Sequence, residues 1–269
     1  MKVILFSIGG IEIRSYGVIV ALAILLAIGV AYYLSRGSEY QKHIPNLMTY
    51  VIFGAIIMAR VWHVFFFQWN YYSSHLSEIF AIWNGGISIQ GALVGGFIVA
   101  AIYTRIHRLS FWELADVLAP AIILGQAIGR IACFLNGDAF GSPTGSNFGI
   151  VYPPGTMAFD VYGSQPLWPA EVWEGQWDLI VFAVLLILRT RTLPRGVLFL
   201  SYNILYAVGR FMLEFLRGDS PRYVLNWTAG QWTSVIVILV SSGLILYFLF
   251  QNKQNKQNQQ IAASEVNVP

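Results

Sequence analysis

The hydrophobic positions of this chain fall in long runs that do not alternate with polar ones. Val20–Tyr33 and Val235–Phe250 read as apolar all round. A helix needs about 20 mainly apolar residues to cross about 30 Å of hydrocarbon, whereas a membrane barrel shows alternating segments of about 10 residues. The runs predict helical spans near Tyr16–Leu34, Leu47–Phe67, Ile87–Tyr103, Leu114–Leu135, Ala170–Leu188, Val197–Phe215 and Trp232–Phe250. The fourth ends in a polar, Gly-rich stretch, and the fifth opens with Glu171, Glu174 and Asp178. The expected fold class is an all-α integral membrane protein with about seven transmembrane helices, in one membrane domain over 1–250. The tail 251–269, with its QNKQNKQNQQ run, reads as a polar, disordered cytoplasmic end. Met1–Arg14 lacks the apolar core of a cleaved signal peptide.

Composition agrees: 57% of the 269 residues are hydrophobic and 11% charged, against roughly 25% charged in a soluble domain. With Cys133 as the only cysteine, a disulfide framework is excluded. The pI near 9.0 comes from scattered charges and not from a basic patch, so nucleic acid is not an expected partner.

Lys and Arg in short loops set orientation. Arg36, Lys42, Arg105, Arg108, Arg189, Arg191, Arg195, Lys253 and Lys256 fall on one side, Lys2, Arg14, Arg217 and Arg222 on the other. The richer side is expected to be cytoplasmic, which puts the N-terminus outside, the C-terminus in the cytoplasm and the loop Asn136–Pro169 outside.

The remaining positive residues, Arg60, Arg130 and Arg210, lie within or at the outer end of a span. A charge in mid-bilayer costs about 2.5–3.5 kcal/mol on insertion scales, so such residues face a partner or a polar cavity. Glu214 follows Arg210 by one helical turn, and Tyr206 precedes it by one, so that Tyr206, Arg210, Glu214 and Arg217 are expected on one face of the sixth span. Read blandly, Arg210 and Glu214 are a buried structural pair, and Arg60 is structural or snorkels to the interface. Arg130 precedes IACFLNGDAFG, a segment too polar for a lipid-facing helix. A cavity at the outer leaflet is expected, ringed by Arg130, Arg210, Asn136 and Asp138. Guanidinium forks suit phosphate or carboxylate, and the abundant ligand of that kind there is a phospholipid headgroup. Glu174 also suits the first turn of a helix, where a carboxylate meets the dipole favourably. The four histidines are scattered without metal-ligand partners, and neither a metal nor a cofactor is expected.

These residues resemble the prolipoprotein diacylglyceryl transferases. The family signature is similar to G-R-x-G-N-F-x-N-x-E-x-x-G, and Gly129–Gly141 reads GRIACFLNGDAFG, with Cys133 in place of Asn and Asp138 in place of Glu. Ser15-Tyr16-Gly17, Ala59-Arg60, GISIQG at 86–91, WPAEVWE at 168–174, YAVGRFMLEFLR at 206–217 and Gly230-Gln231 match further elements in order, with Gln90 where the family has a histidine.

The resemblance implies a multi-pass enzyme of the bacterial plasma membrane, with its site toward the outer leaflet among membrane lipids. It would transfer the diacylglyceryl group of phosphatidylglycerol to the lipobox cysteine of a preprolipoprotein signal peptide. A thioether forms and glycerol phosphate leaves. Arg130 and Arg210 would stabilise the phosphate. Tyr16, Asn136, Tyr206, Glu214, Gly129 and Arg60 would contact substrate, and Gln90, which cannot accept a proton at neutral pH, would orient the headgroup. The thiol must become a thiolate. Asp138 or Glu214 could take its proton, or the arginines could stabilise the thiolate with no dedicated base. Two rivals stay open: a divergent member with another acceptor or no activity, and an anion or lipid transporter using the arginines as its path.

Overall fold

The computed structural model describes the chain except residues 2, 9, 10 and 267–269. Lys2, counted above among the outer charges, lies outside the described residues, as does the end of the tail. The elements in order are strands β1 (Ile4–Ile8) and β2 (Ile11–Arg14) and helices α1 (Ser15–Leu34), α2 (Ile44–Trp62), α3 (Trp69–Tyr72), α4 (Ile89–Ile106), α5 (Phe111–Asn136), α6 (Met157–Tyr162), α7 (Ala170–Arg189), α8 (Val197–Leu213) and α9 (Ala229–Val266).

The architecture is helical, with one correction to the all-α expectation: β1 and β2 form an antiparallel hairpin, pairing Phe6 with Ile13 and Ser7 with Glu12. The alternation Ile-Glu-Ile-Arg in β2 has the period of a strand, not of a helix. Ser15, which opens α1, donates from its backbone N–H to the Val3 carbonyl at 2.9 Å and fixes the hairpin to the helix start.

Among the described residues, six helical stretches are long and apolar enough to cross a membrane: Ser15–Leu34, Gln41–Phe67, Ile89–Ile106, Phe111–Asn136, Val197–Leu216 and Ala229–Gln260. The chain thus has the character of an integral membrane protein. The remaining expected span, α7, has 20 residues but carries Glu171, Glu174 and Asp178 in its first half. Beyond Gln251 the polar segment continues α9 as helix to Val266, and Gln, Lys and Ala are strong helix formers.

The chain divides into two compact units, Ala31–Leu114 and a second made of Met1–Val30 with Ala115–Pro269. In the first, α2 and α4 pack through glycine. A Cβ on Gly91 would stand 2.3 Å from the Met58 carbonyl oxygen, and one on Gly95 2.4 Å from that of Gly54. Small residues four apart let helix backbones touch, which is how membrane helices gain packing contacts where lipid offers no hydrophobic drive. Ser88 caps α4 by accepting the Gly91 N–H.

In the second unit Ala119, Ile123, Val181, Leu185, Leu198 and Tyr202 form a core between α5, α7 and α8. Gly209 lets α8 close on Trp177, whose indole carbon would lie 2.1 Å from a Cβ there, and the Trp177 indole N–H donates to the Leu205 carbonyl at 2.9 Å. Asp116 on α5 caps α8, accepting the N–H groups of Gly196 at 2.6 Å and Phe199 at 2.8 Å. The segment after α5 folds around its own small core of Phe140, Tyr152, Ala158 and Leu167. It is stitched to the end of α8: Ser142 N–H donates to Leu216 O at 2.7 Å and Gly218 N–H to Phe140 O at 3.1 Å.

Candidate active site

Arg130 comes from the last third of α5, where the signature segment leaves the helix at Gly137, whose φ of +70° an L side chain rarely adopts. Arg210 comes from the end of α8. Between them stands Glu174, from the second turn of α7, only 4% exposed. Its Oε2 lies 2.8 Å from Arg130 Nη2 and its Oε1 2.5 Å from Arg210 Nη1. A third guanidinium joins, with Arg217 Nη1 3.4 Å from Oε2. Arg210 also reaches Glu214, Nη2 to Oε2 at 2.8 Å. Arg217 turns its other edge to Asp219, with N–O distances of 2.7 and 2.6 Å.

The expected stripe of Tyr206, Arg210, Glu214 and Arg217 is corrected in its last member. The α-helix ends at Leu213, Glu214–Leu216 is a 3₁₀ turn, and Arg217 is extended. Arg217, counted above among the outer charges, is buried: it is 8% exposed, drawn in by an antiparallel bridge between its backbone and Gly141. Glu174 is not mainly a helix-dipole carboxylate but the hub of an ion cluster. Glu171, Glu174 and Asp178 lie three and four apart, so they share one face of α7, and all three are buried. That spacing was the available signal for a buried acidic stripe facing the arginines.

Glu214 is 1% exposed and sits against the first turn of α9, where a Cβ on Gly230 would come within 3.1 Å of its carboxylate. The Tyr206 ring stacks on Tyr202 with centroids 6.1 Å apart, one turn before Arg210. At Gly129 a Cβ would meet nothing within 4 Å, so the position has room for a group beside Arg130.

A cavity of about 640 Å³ is lined by Glu12, Arg14, Tyr16, Asn136 and Asp138 with apolar residues of β2 and α1. The expected ring of Arg130, Arg210, Asn136 and Asp138 is therefore split: the last two line the cavity, while the arginines are held in the ion cluster. Burial pushes the Asp138 carboxyl above the ordinary carboxylate range, and its Oδ1 is buried without a hydrogen-bond partner.

Arg60 and Gln90 belong to the other unit. The Arg60 guanidinium donates to four carbonyls, Ile79 at 2.7, Gly85 at 2.7, Gly86 at 2.9 and Glu78 at 2.6 Å, and lies over the Tyr72 ring. This arginine clamps the loop after α3, which is the structural role. Gln90, exposed in the first turn of α4, accepts the Ser88 hydroxyl at 2.6 Å.

Comparison with known proteins decides the relationship. The family model for prolipoprotein diacylglyceryl transferase matches residues 3–247. The chain belongs to the prolipoprotein diacylglyceryl transferase family. It is 38% identical over 263 residues to the phosphatidylglycerol–prolipoprotein diacylglyceryl transferase of Bacillus licheniformis, covering 96% of each chain. It is 40% identical over 219 residues to that of Acaryochloris marina, covering 80% of each, and 38% identical to one from Listeria monocytogenes, covering 90% of this chain and 87% of the relative. Like these relatives it is a membrane transferase, and Arg130, Glu174, Arg210 and Arg217 all lie within the matched region.

Proposed function

We propose that the chain transfers the diacylglyceryl group of phosphatidylglycerol to the lipobox cysteine thiol of a preprolipoprotein signal peptide, the first step of bacterial lipoprotein maturation. The observation that carries this reading is the convergence of Arg130 and Arg210 on one buried carboxylate in a chain of this family. The reaction forms a bond from the cysteine sulfur to the glyceryl carbon. It breaks the carbon–oxygen bond to phosphate, and glycerol phosphate departs with the electron pair. As that bond breaks, a phosphodiester monoanion becomes a monoester that gathers a second charge. Fixed guanidiniums aimed at the developing charge stabilise the transition state without reorganising.

Arg130 and Arg210 act on the phosphate, and Tyr16, Asn136, Tyr206 and the open space at Gly129 receive the headgroup. Glu214 holds Arg210 from the side away from Glu174. Asp138 takes the thiol proton. Burial raises the proton affinity of its carboxyl, and it lines the same cavity as Tyr16 and Asn136.

The topology we infer has seven spans in the plasma membrane, with α7 as the seventh, the N-terminus outside and the tail in the cytoplasm. α7 crosses despite its acids because they are buried against protein, Glu174 among three arginines and Glu171 against the Tyr152 hydroxyl. The site then opens toward the outer leaflet.

The test is complementation of a bacterial strain depleted of its own transferase, scored by lipidation of a reporter lipoprotein. The wild-type chain restores lipidation and Arg210→Ala abolishes it. A wild-type chain that accumulates in the membrane and lipidates nothing would sink the reading.

A further inference from the structure

We propose that Glu174 is the positioning residue of this site: it holds Arg130, Arg210 and Arg217 in one array and limits how tightly that array grips an anion. This deepens the transferase reading and rests on it. Among the described residues Glu174 is the one carboxylate in contact with all three guanidiniums, at 2.8, 2.5 and 3.4 Å. Each comes from a different segment: the end of α5, the end of α8 and the extended stretch after it. The Gly141–Arg217 bridge brings Arg217 to the signature segment, and the side-chain contacts with Glu174 tie all three arginines together. Like charges this close repel, so an array of three needs a counter-charge at its centre.

The neighbouring residue contributes. Gly175 brings α7 close enough to α5 that a Cβ there would stand 3.2 Å from Arg130 Cβ, which sets the carboxylate at the level of the guanidinium. The three partners are not equivalent. Arg217 is 8% exposed and spends both of its shortest contacts on Asp219, so it props the array from behind. Arg130 and Arg210 keep 17% and 20% of their side chains exposed and hold the edges a phosphate can reach.

A carboxylate at the centre of the cations also competes with the anion they bind. Removing its charge lets the arginines grip phosphate more tightly and in worse register. The product, glycerol phosphate, carries more charge than the phosphodiester, so it gains the most. Weaker catalysis with tighter product binding is the signature of positioning. A purely structural role lowers the folded fraction and moves neither KM nor product inhibition.

The experiment uses the full chain purified in lipid nanodiscs, phosphatidylglycerol and a lipobox peptide, with glycerol phosphate as inhibitor. In Glu174→Gln, kcat falls about 10²-fold, the order of loss when reacting groups are held out of register. Glycerol phosphate inhibits it about tenfold more tightly. Glu174→Asp, which keeps the charge on a shorter arm, recovers at least about tenfold of the lost kcat. A Glu174→Gln chain with wild-type kcat and wild-type product inhibition, beside an inactive Arg210→Ala, overturns the proposal and leaves the transferase reading standing. Failure of both Glu174 variants to accumulate as folded protein also overturns it, since Glu174 would then be a requirement of the fold. If the wild-type chain transfers nothing, the transferase reading fails. The array is then tested by the thermal shift that glycerol phosphate gives wild type and Glu174→Gln, equal shifts counting against it.

Discussion

Arg210→Lys keeps the positive charge and removes the fork, so it isolates what geometry contributes at this site. Arg210 addresses two separate carboxylates from two nitrogens, Glu174 at 2.5 Å and Glu214 at 2.8 Å. A lysine ammonium is a single point and can satisfy one of them. Glu174 keeps Arg130 and Arg217 in either case, so the ammonium is most needed at Glu214, which is 1% exposed. Losing the Glu174 contact removes a charge-assisted hydrogen bond, worth about 1.5–3 kcal/mol, whereas losing the Glu214 contact removes an ion pair whose Oε2 makes no hydrogen bond. A fully uncompensated buried charge costs about 3–5 kcal/mol, which sets the ceiling. The first turn of α9, packed against Glu214 at Gly230, offers the positive end of a helix and keeps the loss nearer the lower figure. A loss of 1.5–3 kcal/mol corresponds to about 10- to 150-fold in transfer rate if it falls on the transition state. If it falls on stability instead, the apparent Tm drops by roughly 5–10 °C. Both are measured on the same nanodisc preparation, one by peptide lipidation and the other by thermal melting. An Arg210→Lys chain that melts and lipidates like wild type would refute the two-carboxylate account of Arg210.

Other perturbations separate the roles assigned above. Arg60→Met removes four hydrogen bonds to the loop carbonyls of 78–86; losing even two charge-assisted bonds of this kind costs about 3–6 kcal/mol, and limited proteolysis should open that loop, whereas an unchanged cleavage pattern would rule out the clamp. Gly230→Ala places a methyl 3.1 Å from the Glu214 carboxylate, which must give by a few tenths of an ångström against Arg210; both Tm and lipidation fall, and full activity would show that the turn has slack. Asp138→Asn changes the pH dependence of stability. Because burial raises the folded-state pKa of Asp138 above its unfolded value, the stability its protonated form contributes is complete below the ordinary carboxylate range. It is lost as pH rises through the raised value. Between about pH 4 and that value, Asp138→Asn therefore gains Tm relative to wild type as pH increases, and parallel melting curves across the range would contradict the assigned burial effect.

The membrane character and most of the helices were legible because the bilayer imposes a length and a polarity that the chain must display in order. α7 is the long helix that falls outside the six apolar stretches, and the reason is physical. Glu171, Glu174 and Asp178 lower its mean hydropathy, yet all three are buried against protein. Spacing holds what averaging loses: three acids on one helical face turn together into the protein, and Glu174 among them meets the arginines. Arg130 and Arg210 were legible singly, through the cost of a charge at depth. Their common partner was not, because Glu174 is 44 and 36 residues away and the contact exists only once α5, α7 and α8 pack. Arg217 was hidden more deeply still. Its position after the last turn of α8 looks like an outer loop, and only the backbone pairing of Gly141 with Arg217 draws it inward. That bridge ties the signature segment to the arginine array, so a change at Gly141 need not touch substrate to disturb the site. A Cβ there would stand 2.2 Å from the Trp168 carbonyl oxygen, so the backbone at Gly141 or Trp168 would have to shift, and the strand-like contact between Gly141 and Arg217 would shift with it.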